Sequence, residues 1–524
     1  MAATLSVVDY AIIIISLVFS LGFGIYFAHR QKSHDHYFSG GRSLPPWAVG
    51  MSILATLVSS ITFLAYPGEG FKSNWILLVQ GIMVVVILSG LVWFVVPLYR
   101  RAIGISAYEY FEKRFGFAAR LYSSLSFSFT HFTKMGTVFF LLGMAISSMA
   151  GLDTLTVVWI IGAVIIIIAL TGGMEAIVWL DVIQGFMFIG AGIVAALLIM
   201  FIPEGGPGAI FKTAFEYDKI SFSPYDFDFT KLTFIVMVFN GIFYGIQKYG
   251  TDQTIIQRYL TTKTEKGAIK AAMMGVLLSL PVWAIFMFIG TALFAFYKVT
   301  PFVLPEGIKA EAVFPYFILT QMPVGVIGLV ISALVAAAVS TLDADMNSLS
   351  AVFVEDYYKR FKPQSTDKQQ LRMGRTIVFL SGLLSLLIAT VYVYSGGEGI
   401  LGLVFELYAI FSGGIAGIFL LGIFSKRANK QGLYVGLIVC VLFTMYAVLT
   451  STKYNGSLLM DWGVWNFPHH KYMLGVYTHI IVIVIGYLSS FLFKSELAPD
   501  NLTIYGWWDE LKVNRTNKRN GIVK

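Results

Sequence analysis

Residues Val335 to Ser350, VAAAVSTLDADMNSLS, set polar side chains into a stretch that otherwise reads as a membrane helix. At helical spacing Ser340, Asp343 and Asn347 fall on one stripe, and Thr341, Asp345 and Ser348 on the next. Carboxylates at membrane depth are costly and face a cavity, a pathway or a partner charge. Hard oxygens gathered on one helix suit a small cation. The competing reading puts Asp343 and Asp345 at the cytoplasmic end of the helix, solvated by water. A second stretch, Ser52 to Pro67, carries Ser59, Ser60 and Thr62 ahead of Pro67 and Gly68. A helix that unwinds there frees carbonyls for an ion or a substrate, whereas serines bonded back to the preceding turn are structural. Asp181, in GGMEAIVWLDVIQG, lies almost two turns into a helix and needs a partner; Glu175 before it caps the helix or sits in the interface. Lys134, in SFTHFTKMGTVFFLLG, is an isolated cation that neutralises an anionic substrate, pairs with a carboxylate, or snorkels. His131 reads as structural. Lys248 and Asp252, at i and i+4, read as a mutual pair.

The elements that position these residues follow from the composition. The chain has 524 residues, 57% hydrophobic and 13% charged, with mean hydropathy +0.76. Soluble proteins carry about 25% charged residues, so this is an all-α polytopic membrane protein. Apolar runs place about thirteen spans near 7–28, 45–70, 74–99, 119–150, 155–171, 176–202, 231–254, 267–299, 322–354, 373–396, 399–425, 430–450 and 472–494. Val7 to Ala28 reads as a retained helix, with no A-x-A-like cleavage site after it. Lys and Arg concentrate at every second loop: Arg30, Lys32 and Arg42; Arg100 to Arg120; Arg258, Lys263 and Lys266; Lys359 to Arg372; and Lys426 to Lys430. The tail adds Lys512, Arg515, Lys518 and Arg519. The positive-inside rule then sets the C-terminus in the cytoplasm and the N-terminus outside, in a plasma or inner membrane. The loops at 203–230 and 298–321 are outer, and the first reads as solvated rather than packed over a vestibule.

The net charge of +8 reflects these loops and does not point to nucleic acid. The single cysteine, Cys440, reads as core and excludes an internal disulfide. No H-E-x-x-H, P-loop, G-x-S-x-G or dinucleotide fingerprint occurs. The sequence therefore argues against an enzyme. Its expected partners are a small-molecule substrate and the bilayer, with no obligate protein partner evident.

The segments DHYFSGGRSLPPWAVGMSILATLVSSITF, ISAYEYFEKRFG, GGMEAIVWLDVIQG, TDQTIIQRYL, AAAVSTLDADMNSLSAVFVEDYYKR and LGIFSKRANKQG resemble the sodium/solute symporter family. Within it, SAYEYFEKRF, YSSLSF and the SSITF run look closest to the bacterial sodium/sialic acid symporters. The resemblance implies a LeuT-type fold in a single transporter domain. Inverted five-helix repeats would cover 45–202 and 231–425, with extra helices at 7–28 and 430–494 and a cytoplasmic tail at 495–524. It also implies alternating access about a mid-membrane site.

Carried over by position, the family's main sodium site falls on the carbonyls of Ala55, Val58 and Ala337 and the hydroxyls of Ser340 and Thr341. A second sodium in the sialic acid branch maps to Asp181 and Ser340. Asp343 and Ala344 depart from its two remaining serines, so the first keeps a ligand and adds charge while the second loses one. A proton on Asp343 is an alternative to that ion. The substrate positions map to Leu57, Ser59, Thr62, Leu77, Gly81 and Lys134, with Gln80 one position off and Lys248 a further candidate. Lys134 stands where the branch has an arginine that clamps a carboxylate, and it lacks the bidentate fork. The reading is a sodium-coupled symporter, using one or two Na+, that imports an anionic sugar acid such as sialic acid or a related carboxylate. The alternatives are a neutral sugar substrate and, in other classes, a transceptor or a channel.

Overall fold

The computed structural model describes residues 5–28, 33–394, 413–454, 457–494 and 497–506. The first half runs α1 (Val7–Ala28), α2 (His34–Ser39), α3 (Pro46–Leu57), α4 (Ser60–Lys72), α5 (Leu78–Ala102), α6 (Tyr108–Phe115), α7 (Phe117–Ala150), α8 (Thr154–Thr171), α9 (Met174–Phe201) and α10 (Gly206–Glu216). The second runs α11 (Phe234–Gly250), α12 (Gln253–Tyr259), α13 (Glu265–Val299), α14 (Ala310–Gln321), α15 (Val326–Val352), α16 (Lys359–Phe361), α17 (Asp367–Tyr394), α18 (Ile415–Phe424), α19 (Lys430–Ser451) and α20 (Lys471–Ser489). A π-helical turn, Phe353–Tyr358, joins α15 to α16. The strand pair β1 (Lys453–Tyr454) and β2 (Ser457–Leu458) is antiparallel.

Ten helices among the described residues are long and apolar enough to cross a bilayer, and the bent pair α3–α4 makes an eleventh. Two expected spans differ. The one at 231–254 stops at Gly250 because Asp252 takes the N-cap of α12, accepting the Thr254 N–H at 2.8 Å. The one at 399–425 lies partly outside the described residues, which show only α18.

The helix carrying the polar stretch is the most enclosed. Every residue of α15 from Val330 to Val352 is buried, under α1, α7, α9 and α17. Its N-terminal end is fixed by Asp9 of α1, whose Oδ1 accepts the N–H groups of Gly325 and Gly328, each at 2.8 Å. That carboxylate satisfies donors at a helix N-terminus and sits favourably in the helix dipole. By contrast α1 presents Val7, Ile14 and Ile15 outward, as a lipid-facing helix does.

The broken helix α3–α4 bends by 56° at Val58–Ser59, and both residues are extended. Ser59 caps the second half: its Oγ accepts the Ile61 N–H at 3.1 Å, and the Thr62 hydroxyl accepts the Ser59 N–H at 3.5 Å. α4 then lies on α13 with backbones in near contact. A Cβ at Gly290 would stand 2.1 Å from the Pro67 carbonyl oxygen, so glycine alone permits this crossing.

The loop at 203–230, expected to be solvated, is docked in part, while Tyr225 and Phe227 stay exposed. α10 packs on α13 and α9. Lys219 Nζ donates to the Phe71 and Ser73 carbonyls at 2.6 and 3.0 Å, and the Asn74 amide donates to Ser221 and Ser223. Carbonyls left over where α4 ends take the Lys219 ammonium, and Asn74 just beyond them holds the loop's serines, which fastens the loop beside the end of α4.

Candidate functional site

α3 stops at Leu57, so the carbonyls of its last turn, Ala55 among them, run short of helical partners. α15 passes against this break. Thr341 Oγ1 donates to the Ala337 carbonyl at 3.1 Å and lies 3.4 Å from the Val58 carbonyl. Ala55, Val58, Ala337 and Ser340 line a cavity of about 10 Å³ together with Gln184 and Phe188, roughly the room of one water-sized sphere. The Ser340 hydroxyl donates to Asp181 Oδ1 at 2.5 Å, which leaves its lone pairs for a cation. All five positions mapped to the main sodium site thus meet at one break. Gln184, on α9 one turn from Asp181, joins them unforeseen, and neither of its amide atoms has a hydrogen-bond partner among the described residues. An orphaned carbonyl beside hydroxyls and free-ended carbonyls fits a hard monovalent cation.

Asp181 is buried at 1% exposure and has the partner its position demanded. Arg258 Nη2 lies 3.0 Å from its Oδ2, Arg258 Nε donates to Ser52 Oγ at 2.8 Å, and Ser52 Oγ donates to the same carboxylate. Arg258 Nη1 is taken by the Thr254 carbonyl at 2.7 Å. Arg258 is 0% exposed, which corrects its assignment to a charged loop. The break after α11 turns α12 back into the protein and carries the guanidinium with it. Of the residues mapped to a second ion, Ser340 and Asp181 touch. Asp343 is buried on the next turn, and its Oδ1 is without a hydrogen-bond partner among the described residues.

Asp345 is buried at 0% exposure, not solvated. Lys134 Nζ sits 3.0 Å from its Oδ1 and 2.9 Å from its Oδ2. His131 Nδ1 lies 2.9 Å from Asp345 Oδ1, and His131 Nε2 lies 3.2 Å from Asp252 Oδ2. Lys248 Nζ closes the chain on Asp252 at 2.5 Å. His131 therefore stands between two ion pairs, Lys134–Asp345 and Lys248–Asp252, where α7, α15 and the α11–α12 break come together. The i, i+4 spacing made the second pair legible; the first joins residues with no sequence proximity.

The remaining substrate candidates separate. Ser59 and Thr62 form the cap at the break, beside half-buried Leu57. Val138, one turn beyond Lys134 on α7, accepts from Ser60 Oγ at 3.4 Å, so Lys134 stands within a turn of that break. Leu77 packs instead in an apolar cluster with Val236, Met237, Tyr472 and Met473. Gly81 lies under Trp283, whose ring would come within 2.6 Å of a Cβ there. Gln80 is buried beside it, and the Gly241 backbone reaches within Cβ distance of its Cα.

Comparison with known proteins bears directly on this arrangement. A model of the sodium:solute symporter family matches residues 37–440. The chain belongs to the sodium:solute symporter family. This symporter is 32% identical over 496 residues to the sodium/sialic acid symporter NanT of Aliivibrio fischeri, covering 94% of each chain. It is 33% identical over 488 residues to the sodium/sialic acid symporter SiaT of Proteus mirabilis, covering 93% of this chain and 95% of that one. Its fold superposes with a TM-score of 0.84 and 32% identity on the substrate-bound outward-open structure of a Na+-coupled sialic acid symporter, covering 94% and 99%. That structure is described as revealing a novel Na+ site. The chain is thus an integral membrane transporter of the LeuT-type fold, not an enzyme, and sodium is its coupling ion.

Proposed function

We propose that this symporter imports sialic acid, or a closely similar sugar acid, down the sodium gradient. The observation that carries the reading is Lys134: a buried ammonium one turn from the α3–α4 break, where substrate and ion meet. The near full-length similarity to NanT and SiaT supports it. Sodium binds to the carbonyls of Ala55, Val58 and Ala337 and the hydroxyls of Ser340 and Thr341. A second ion is held by Asp181, Ser340 and Asp343, sharing Asp181 with Arg258. The substrate takes Leu57, Ser59, Thr62 and Lys134, with Leu77, Gln80, Gly81 and Lys248 shaping the wall behind them. Repeats at 45–202 and 231–425 rock about this site, with the N-terminus outside and the C-terminus in the cytoplasm.

The neutral-sugar reading keeps one specific support: both Asp345 oxygens already engage Lys134. Uptake into proteoliposomes separates the two. Sodium-dependent accumulation of N-acetylneuraminic acid, undiminished by excess neutral hexose, is the expected result. Accumulation of hexose with no uptake of the acid would overturn the proposal.

A further inference from the structure

Lys134 has three N–H donors, and Asp345 engages the ammonium through both oxygens, at 3.0 and 2.9 Å. A substrate carboxylate that needs this ammonium meets a site whose charge is already answered. The two carboxylates of the network are not held alike. Asp252 is bound from several sides, by Lys248 at 2.5 Å, by the Thr254 N–H at 2.8 Å and by His131 Nε2 at 3.2 Å. Among the described residues Asp345 Oδ2 has the Lys134 ammonium as its charged neighbour, at 2.9 Å, while its Oδ1 has a second neighbour in His131 Nδ1, also at 2.9 Å. Asp345 therefore has somewhere to remain when Lys134 turns away, and Asp252 has no comparable freedom.

We propose that Asp345 is a resident competitor for the substrate's carboxylate. In the substrate-free protein it holds Lys134 in place. An acidic substrate displaces it, and Asp345 stays behind on His131. Asp345 is a specificity-determining residue by this account. An acid binds by replacing one carboxylate with another at the same ammonium. A neutral analogue leaves Lys134 on Asp345 and gains nothing from the charge. The inference rests on the anionic-substrate reading above, and it explains how a lysine already paired in the resting state serves as the clamp.

The test is equilibrium binding to the purified full-length protein at saturating sodium, using N-acetylneuraminic acid and its neutral methyl ester. Wild-type protein prefers the acid. Asp345→Asn removes the competitor; if Lys134 is engaged by Asp345 about nine-tenths of the time, acid affinity rises about tenfold and ester affinity stays put. A folded Asp345→Asn protein with unchanged or weaker acid affinity overturns the exchange while leaving the anionic substrate in place. Wild-type protein that fails to prefer the acid over the ester overturns both. Should Asp345→Asn fail to fold, Lys134→Gln is compared with Lys134→Gln/Asp345→Asn. In the single variant the Asp345 carboxylate has lost its ammonium and repels the incoming acid, so the double variant binds the acid more tightly, with the ester alike in both. Equal acid affinities in that pair overturn the proposal.

Discussion

Asp181 on α9 and Asp345 on α15 are both carboxylates buried in the membrane interior, each paired with one long cation, yet they are built differently. Asp181 faces an arginine whose planar fork is filled on all sides, by the carboxylate, by Ser52 and by the Thr254 carbonyl. Ser340 completes its other oxygen. Asp345 faces a lysine, a point charge on a flexible stem, with a histidine as its second neighbour. Arginine loses less freedom per bond and does not give up its proton, while lysine turns between partners. The difference points to a fixed post on the ion side of the site and an exchangeable pair on the substrate side.

The largest effect that would break this contrast concerns Arg258. Arg258→Met leaves Asp181 charged and unpaired, and breaking a buried pair in this way destabilises by about 3–5 kcal/mol. We expect loss of folded yield and a much lower melting temperature in detergent. Lys134→Met also removes one partner of a buried pair, and should be milder by what His131, 2.9 Å from Asp345 Oδ1, still offers that carboxylate. Equal damage from the two variants would erase the distinction between post and exchangeable pair.

Next in size is the substrate effect of Lys134→Met. Loss of a charge-assisted hydrogen bond costs about 1.5–3 kcal/mol, or roughly 10- to 150-fold in affinity. Binding of N-acetylneuraminic acid should fall by that factor, while sodium binding without substrate stays near normal. A well-folded Lys134→Met protein with undiminished acid affinity would move the neutral-sugar reading to first place.

How far the sequence foretold this contrast depends on the separation of the partners. Helical spacing alone made the stripes on α15 readable, and membrane depth made Asp181 and Lys134 readable as groups in need of partners. The Lys248–Asp252 pair lies at i, i+4 and was legible for that reason. Arg258 was not, because a basic residue beyond an apolar run reads as a loop charge until the break at Thr251–Asp252 turns α12 inward. Ser59 and Thr62 were legible as polar residues at a break but not as the two halves of a cap. Gln184 and Asp9 carried no signal, since a lone polar residue in an apolar helix does not announce which helix it meets. His131 had a sequence neighbour in Lys134, but its other neighbours lie on α15 and at the α11–α12 break. The loop at 203–230 looked solvated because its docking bonds run to another part of the chain: Lys219 donates to the Phe71 carbonyl, and Asn74 donates to the loop's Ser223.

A smaller effect sharpens the ion side. Asp343→Asn should lower the steepness of uptake against sodium while substrate still binds, because Asp343 brings an oxygen with no hydrogen-bond partner among the described residues to the turn beside Asp181. If Asp343→Asn leaves the sodium Hill coefficient unchanged, the second ion does not use it. Smallest is Ser59→Ala, which removes the cap of α4 and should cost about 1 kcal/mol, seen as a modest drop in melting temperature. A Ser59→Ala protein with wild-type stability but lost substrate binding would make Ser59 a ligand first and a cap second.

The central claim is that the α3–α4 break and the hydroxyls of α15 hold the coupling sodium. Uptake of N-acetylneuraminic acid into proteoliposomes, measured against sodium concentration for wild type and for Ser340→Ala/Thr341→Ala, tests it most directly. Each lost ligand is worth about 1–3 kcal/mol, so the sodium concentration for half-maximal uptake should rise at least about tenfold. An unchanged sodium dependence in a folded double variant would contradict the assignment.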